Sequence, residues 1–421
     1  MYKNILLPLD NSLYSNYCID LGIYLAKAWG QAGTDLKPVP MPTHLTGSHV
    51  YAARLHDDRF KQMESGLPEE YQDEKELQKQ RDVHDDLITK GLQIISDSYL
   101  DVFENRCKEE GISYSRKAME GKNYLEIVKD VQASDYDLVI IGFLGLGAVN
   151  KSRVGSVCER VVRRIKKDVL IAKDNRIPKK IAVGIDGSPN SFGGLKSAIA
   201  IARLFNSEVT CIAAFDPNFH YSAFKNIAGV LSDEAGKIFK FKEQEKLHEE
   251  IIDKGLAKIY QDHLNIAYNI AKDDGLEIKT ELLTGKAFEE ILKYVERENP
   301  DLLVMGRVGV HAVPELDIGS NTENCFRLAK CNILISGKEY RGKRQGQGVK
   351  SMLFTGKGQE ADAGITWTKD ALDLLEKVPP FAKGIVMQTV NDYAVKKGYK
   401  EIDVKVMQEA RGQMMGKGKE S

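Results

Sequence analysis

Ile181-Ala182-Val183-Gly184-Ile185-Asp186-Gly187-Ser188 repeats, in kind and in order, the stretch Ile5-Leu6-Leu7-Pro8-Leu9-Asp10-Asn11-Ser12. Each is a short apolar run closed by an aspartate and a serine able to cap a helix. Two further pairs keep step: Asp137-Leu138-Val139-Ile140-Ile141-Gly142 with Asp301-Leu302-Leu303-Val304-Met305-Gly306, and Val169-Leu170-Ile171-Ala172 with Ile333-Leu334-Ile335-Ser336. A chain that repeats landmarks at this spacing reads as two copies of one unit.

Between the landmarks both halves read alike. A first strand (Asn4 to Leu9; Ile181 to Ile185) leads to an apolar-striped helix ending near Trp29 or Phe205. A second strand follows near His49 to Ala53 and Val209 to Phe215, then a long charged helical region to about Glu110 and Asp274. A third strand (Ile112 to Ala118; Glu277 to Leu283) ends at Gly121-Lys122 or Gly285-Lys286, before a helix striped by Tyr124, Ile127, Val128 and Val131, or by Phe288, Ile291, Leu292 and Val295. A fourth strand, a loop, a helix and a fifth strand close each half. Strands that are apolar throughout and alternate with helices imply parallel sheets covered on both faces, so each half is expected to be a doubly wound α/β domain. Ligands in such sheets bind beyond the carboxyl ends of the strands, where strand order reverses.

The length of 421 residues suits two or three domains, and 42% hydrophobic with 29% charged residues is a soluble globular mixture. A formal net charge of -1 gives no overall bias toward nucleic acid or membrane. The longest apolar runs are strand-sized, and no signal-peptide core is read near Met1. Cys18, Cys107, Cys158, Cys211, Cys325 and Cys331 are scattered, with no C-x-x-C pair, which points to buried free thiols and a cytoplasmic location.

After the fourth strand the halves read Gly142-Phe143-Leu144-Gly145 … Gly155-Ser156 and Gly306-Arg307-Val308-Gly309 … Gly319-Ser320, with identical spacing. The glycines let backbone approach a ligand, and Gly-Ser opening a helix offers free N–H groups, a favourable dipole and a hydroxyl to an anion. Lys151, Arg153 and Arg160 around the first loop suit a polyphosphate. The second loop carries Glu315, Asp317 and Glu323, which repel phosphate unless a divalent cation bridges them; Arg307 is expected to compensate in part. Tight turns and caps are the plainer reading of the same residues, Asp10 and Asp186 included.

On these loops the sequence resembles the universal stress protein family, of the ATP-binding type, over about Met1 to Gly337. The resemblance implies two tandem five-stranded sheets of order 3-2-1-4-5, over residues 1–175 and 176–338. It implies that ATP, with or without Mg²⁺, is held by Asp10, Gly142, Gly145, Gly155 and Ser156, and by Asp186, Gly306, Gly309, Gly319 and Ser320. Each aspartate would take the adenine or ribose end. The halves would pack as an intramolecular pseudo-dimer through their closing strands, with or without a further homo-oligomer.

Other patterns are weaker. Gly145 to Ser152 fails as a P-loop because Asn150 stands at the second glycine, and Gly337 to Arg344 fails because Arg344 replaces the Ser/Thr. His44, His49 and His56, with Asp57 and Asp58, lie near the second strand, where ordinary strand histidines outweigh a metal site. His311 lies in the second loop, where a histidine without a role is the default. Gly30 to Thr43 departs from the family pattern where the second strand would start. Ile252, Leu256, Ile259, His263, Ile266 and Ile270 form a seam that packs on the sheet or contacts another repeat or chain.

Residues 339–365 read as a flexible basic linker and 366–414 as a small helical domain, with helices over Lys369 to Lys377, Pro380 to Lys397 and Glu401 to Ala410. Its expected core is Leu372, Leu375, Phe381, Ile385, Val390, Tyr393, Ile402, Val404 and Met407. Trp367-Thr368, Leu375-Glu376-Lys377-Val378-Pro379, Phe381 and Glu409-Ala410-Arg411 resemble the C-terminal domain of the light-independent protochlorophyllide reductase B subunit. That segment has no Cys or His for an iron–sulfur or haem group, so it reads as a borrowed interaction or ligand-sensing module, with a protein partner expected and no reductase activity. The leading expectation is therefore a nucleotide-binding stress or regulatory protein acting through a partner. A slow ATPase or phosphoryl-transfer enzyme, and a scaffold that binds no nucleotide, remain the alternatives.

Overall fold

The computed structural model describes residues 2–31, 43–52, 59–148, 154–217, 253–310, 312–313, 316–341, 366–376, 390–391, 393–394, 397, 399 and 401–416. The first half contains β1 (Asn4–Pro8), α1 (Leu13–Gln31), β2 (His44–Tyr51), α2 (Glu74–Glu109), β3 (Ser113–Glu120), α3 (Asn123–Ala133), β4 (Leu138–Gly142), α4 (Ser156–Arg164) and β5 (Asp168–Ala172). The second contains β6 (Lys180–Gly184), α5 (Pro189–Phe205), β7 (Glu208–Phe215), α6 (Asp253–Asp273), β8 (Lys279–Thr284), α7 (Ala287–Glu298), β9 (Leu302–Gly306), α8 (Ser320–Leu328) and β10 (Asn332–Ser336).

Strands β3-β2-β1-β4-β5 and β8-β7-β6-β9-β10 run parallel within each half, the 3-2-1-4-5 order twice over. The two sheets are one: β5 pairs antiparallel with β10, Leu170 opposite Leu334, to give ten continuous strands. Central strands such as β4 and β9 are buried on both faces, and this is why their sequences are unbroken apolar runs. The outermost strands, β3 and β8, alternate or stay partly exposed. Two apolar cores lie on opposite faces, and each crosses from one half to the other. One joins Leu7, Leu25 and Leu138 to Val183, Leu195 and Leu334; the other joins Val139, Val162 and Ile171 to Leu303, Phe326 and Ile333.

Polar side chains fix the junction. Asp168, fully buried at the start of β5, accepts hydrogen bonds from Ser336 Oγ (3.1 Å) and the Gly337 amide (2.9 Å), and pairs with Lys338 Nζ (3.1 Å). Tyr2 and Ser197 hydroxyls donate to it as well. At the matching start of β10, Asn332 Oδ1 accepts from the amides of Lys173 (2.7 Å) and Asp174 (3.1 Å). All six cysteines are free and buried.

Helix α6 lies on the sheet by Leu264, Ala267 and Ala271, while Ile259 and Ile266 stay exposed. The expected seam is thus half right: Ile270 packs inward, and the contact is with the sheet of its own half. The second strand begins earlier than expected, at His44, and most of Gly30 to Thr43 lies outside the described residues.

The C-terminal unit is a separate body, with the division falling after Gln345. It pairs β11 (Thr366–Trp367) with β12 (Glu401–Ile402), and adds α9 (Lys369–Glu376) and α10 (Val404–Gly416). Its core holds Leu375, Val390, Ile402, Val406, Met407 and Ala410. Two expectations need correcting. Glu401 and Ile402 are strand, because they pair with Thr366 and Trp367, and the helix begins only after Asp403, whose Oδ1 accepts the Val406 amide at 2.9 Å. Leu372 is exposed, Ala371 taking the inward position. Phe381 and Ile385 lie outside the described residues.

Candidate functional site

Strand β1 lies between β2 and β4, so the β1–α1 turn and the β4–α4 loop emerge side by side at the reversal of strand order. Asp10 ties the two together. Its Oδ1 accepts the Ser12 amide (3.1 Å) and Ser15 Oγ (2.7 Å), and its Oδ2 accepts the Leu146 amide of the β4–α4 loop (3.0 Å). A carboxylate has about four lone-pair sites, so three bonds leave one on Oδ2 for a ligand donor. Asp186 repeats the pattern: Oδ1 takes the Ser188 amide (3.0 Å) and Oγ (2.6 Å), and Oδ2 takes the Val310 amide (3.2 Å).

The glycines differ in what their missing side chains allow. A Cβ on Gly145 would stand 2.5 Å from Asp10 Oδ2, and one on Gly309 2.5 Å from Asp186 Oδ2. Glycine is therefore what lets each loop reach its aspartate. Gly142 and Gly306 face the first turns of α1 and α5, with a Cβ landing 2.8 Å from Tyr14 Cβ and from the Asn190 carbonyl carbon. Their lack of a side chain serves helix packing. Gly155 is tight against the Phe143 carbonyl oxygen (3.0 Å), whereas Gly319 has ordinary contacts from 3.5 Å.

Gly155 and Gly319 are extended N-caps of α4 and α8, with no side chain capping them. The first intrahelical bonds are Glu159 N to Gly155 O (2.9 Å) and Glu323 N to Gly319 O (2.8 Å). The three amides ahead of each, starting at Ser156 and Ser320, precede the first intrahelical donor and are oriented to bind an anion. Ser156 and Ser320 are both exposed.

The charged residues of the second loop are more closely paired than the sequence suggests. Arg307 is buried and reaches into the junction, donating Nη1 to the Val162 carbonyl of the first half (2.7 Å) and to the Asp317 carbonyl of its own loop (3.5 Å). Burial works against its cation, while Asp168 and Asp317 favour it, so part of its charge answers a carboxylate of the loop, as expected. Asp317 pairs with Arg163 of α4 (3.1 Å), and Glu323 pairs with Arg163 and Arg327. Arg327 reaches back to Glu159. Arg163–Glu323 and Arg327–Glu159 are thus the same contact made twice across the junction, the self-complementary arrangement of a two-fold interface. Lys151, Arg153, His311 and Glu315 lie outside the described residues.

Two histidines stand beside the aspartates. His49 on β2 bonds Ser96 Oγ of α2 through Nδ1 (2.8 Å), and burial pushes its pKa down while Asp10 pulls it up. His263 of α6 lies over Gly187, where a Cβ would meet Nε2 at 2.4 Å; Gly187 also has φ +85°. Burial likewise lowers the His263 pKa, against Asp186. The sequence placed His263 in a packing seam, and no local signal ties it to Asp186. His44 bonds Ser113 and Ser115, and His56 lies outside the described residues; among the described residues there is no metal-ligand cluster. No helix among them is long and apolar enough to cross a membrane.

The profile of the universal stress protein family matches residues 41–173 and 178–336, and that of the proto-chlorophyllide reductase 57 kD subunit matches residues 367–411. A universal stress protein of Methanocaldococcus jannaschii is 29% identical over 169 residues, 40% of this chain and 88% of its own. One of Synechocystis is 23% identical over 233 residues, 55% of this chain and 68% of its own. Among solved structures, a universal stress protein from Archaeoglobus fulgidus has a TM-score of 0.49 at 16% identity, covering 79% of this chain and 97% of that one.

Proposed function

The chain belongs to the universal stress protein family, and on that premise we propose that it binds ATP at the β1/β4 reversal of each half and passes the state of those sites to a protein partner. The observation that carries the reading is the doubled contact of aspartate and glycine loop. Asp10 Oδ2 with the Leu146 amide, and Asp186 Oδ2 with the Val310 amide, each leave one lone pair where a ribose hydroxyl can donate. The backbone at Gly145 and Gly309 is bare on that side, and the amides opening α4 and α8 face the phosphates, with Ser156 and Ser320 adding hydroxyl donors.

Binding is favoured over turnover because the candidate carboxylates are committed. Transfer chemistry needs a positioned base and charge stabilisation, and Asp10 and Asp186 each already hold three donors. The second site, with Asp317 and Glu323 neutralised by Arg163 and Arg327, presents less like-charge repulsion than its sequence implies. Mg²⁺ would strengthen binding there without being required. The C-terminal unit is the partner-binding module in this account, and the cytoplasm its setting.

Equilibrium dialysis against labelled ATP tests the reading. Wild-type protein retains ATP, and Asp10→Ala with Asp186→Ala lowers retention at least tenfold. Equal retention by the double variant, or none by the wild type, contradicts it.

A further inference from the structure

Three cations of the first half converge on one aromatic ring. Lys122, which precedes α3, places Nζ 5.4 Å from the Tyr124 ring centroid; Arg160 and Arg164 of α4 place Cζ at 4.9 and 5.1 Å. Each contact is favourable by itself, because the face of the ring is electron-rich. Together they crowd three like charges into one small volume. No carboxylate among the described residues forms an ion pair with Lys122, Arg160 or Arg164, although Arg163, on the same helix, has three. All three cations are exposed. An unneutralised cluster of this kind is stabilised by an anion that sits among the charges.

The cluster is confined to one half. At the offset that carries Gly142 to Gly306, Tyr124 becomes Phe288, Arg160 becomes Asn324 and Arg164 becomes Leu328; only Lys286 remains, 4.7 Å from the Phe288 centroid. Its position relative to the nucleotide loop is set by α4. Arg160 follows Ser156 by one turn, about 6 Å along the axis, and Arg164 lies about 6 Å further on the same helix face. An oligophosphate anchored at the amides of α4 and running along this face of the helix would meet Arg160 first and Arg164 next.

We propose that Lys122, Arg160 and Arg164, gathered on Tyr124, form an oligophosphate subsite beside the α4 N-terminus, suited to the terminal phosphates of a nucleoside polyphosphate longer than ATP. The nucleoside part rests on the nucleotide reading above; the phosphate part does not. The cations supply point and fork charges for phosphate oxygens, and Tyr124 holds the long side chains together in advance, which reduces the ordering cost of binding.

Calorimetric titration with ATP, adenosine 5′-tetraphosphate and inorganic tripolyphosphate decides it, using wild type and the Arg160→Gln/Arg164→Gln variant. The tetraphosphate is expected to bind wild type at least tenfold more tightly than ATP, and the variant to bring that ratio close to one. Equal affinities in the wild type, or a ratio that survives in the variant, overturns the proposal. If neither nucleotide binds, the nucleotide reading fails and tripolyphosphate decides the subsite: binding lost in the variant upholds it, and no binding or unchanged binding overturns it. Phosphatidylglycerol vesicles separate a lipid headgroup from a soluble phosphate. Capture by vesicles that tripolyphosphate does not displace would make the cluster a membrane-facing patch and also overturn the proposal.

Discussion

Gly145 and Gly319 read alike in sequence and differ in structure. A methyl group on Gly145 would press on Asp10 Oδ2 at 2.5 Å, whereas one on Gly319 meets nothing closer than 3.5 Å. Gly145→Ala is therefore expected to destabilise the first half by about 1–3 kcal/mol as the loop is pushed off its aspartate. Gly319→Ala meets no such clash and loses only a favoured N-cap residue, so it should cost less, about 0.5–1 kcal/mol. Chemical-denaturation midpoints of the two variants check this, and equal midpoints would contradict it. The same scale shows what single residues reveal in a sequence. Asp10 and Gly145 were legible because the aspartate closes a strand and the glycine keeps a fixed spacing. Arg307 is only partly legible: its link to Asp317 is local, but a guanidinium on a long stem also serves a carbonyl of a different element, here Val162, and nothing local says so. His263 was missed because its partner, Gly187, is remote in sequence.

Elements were legible where local chemistry and periodicity agreed. Helix α5 announces itself by Ser188 followed by Pro189, and in the structure Ser188 accepts the Ser191 amide as an N-cap. Ser188→Ala should cost about 1–2 kcal/mol, since it removes the cap and also the hydroxyl that donates to Asp186. Thermal melting monitored by helical circular dichroism measures it, and an unchanged transition would show that α5 does not depend on its cap. Where an element depends on a distant partner, the pattern is silent. Glu401–Ile402 looks helical by composition and is strand only because Thr366–Trp367 lies beside it. The start of β2 at His44 was hidden in the same way: its register is fixed by β1 and β3, with Asn4 opposite His44 and His44 opposite Ser113.

At the scale of the whole molecule, the repeat gave two sheets and the resemblance gave their order. Their fusion into ten strands comes from the β5–β10 pairing and from side chains that reach across it. Lys173 is one of these. It follows β5 and donates Nζ to the Phe326 carbonyl of α8 (2.9 Å), and burial pushes its pKa down to about 8. An unfolded lysine titrates near 10.4. Between about pH 8 and 10 the unfolded chain holds a proton that the folded chain has released, so this group makes stability rise with pH across that window, by up to about 3 kcal/mol. The difference in unfolding free energy between wild type and Lys173→Met, followed from pH 7.5 to 10.5, should show that slope. Parallel curves would mean that the lysine is not held as described.

The paired sites give the account its central claim, that each half binds one adenine nucleotide through its aspartate and glycine loop. Calorimetric titration of the full chain with ATP, with and without Mg²⁺, tests it most directly. The predicted result is two ATP per chain in the wild type and one in Gly155→Val, because the tight approach of Gly155 to the Phe143 carbonyl leaves no room for a branched side chain. No heat of binding in the wild type under either condition, from protein shown to carry no nucleotide, would contradict the claim.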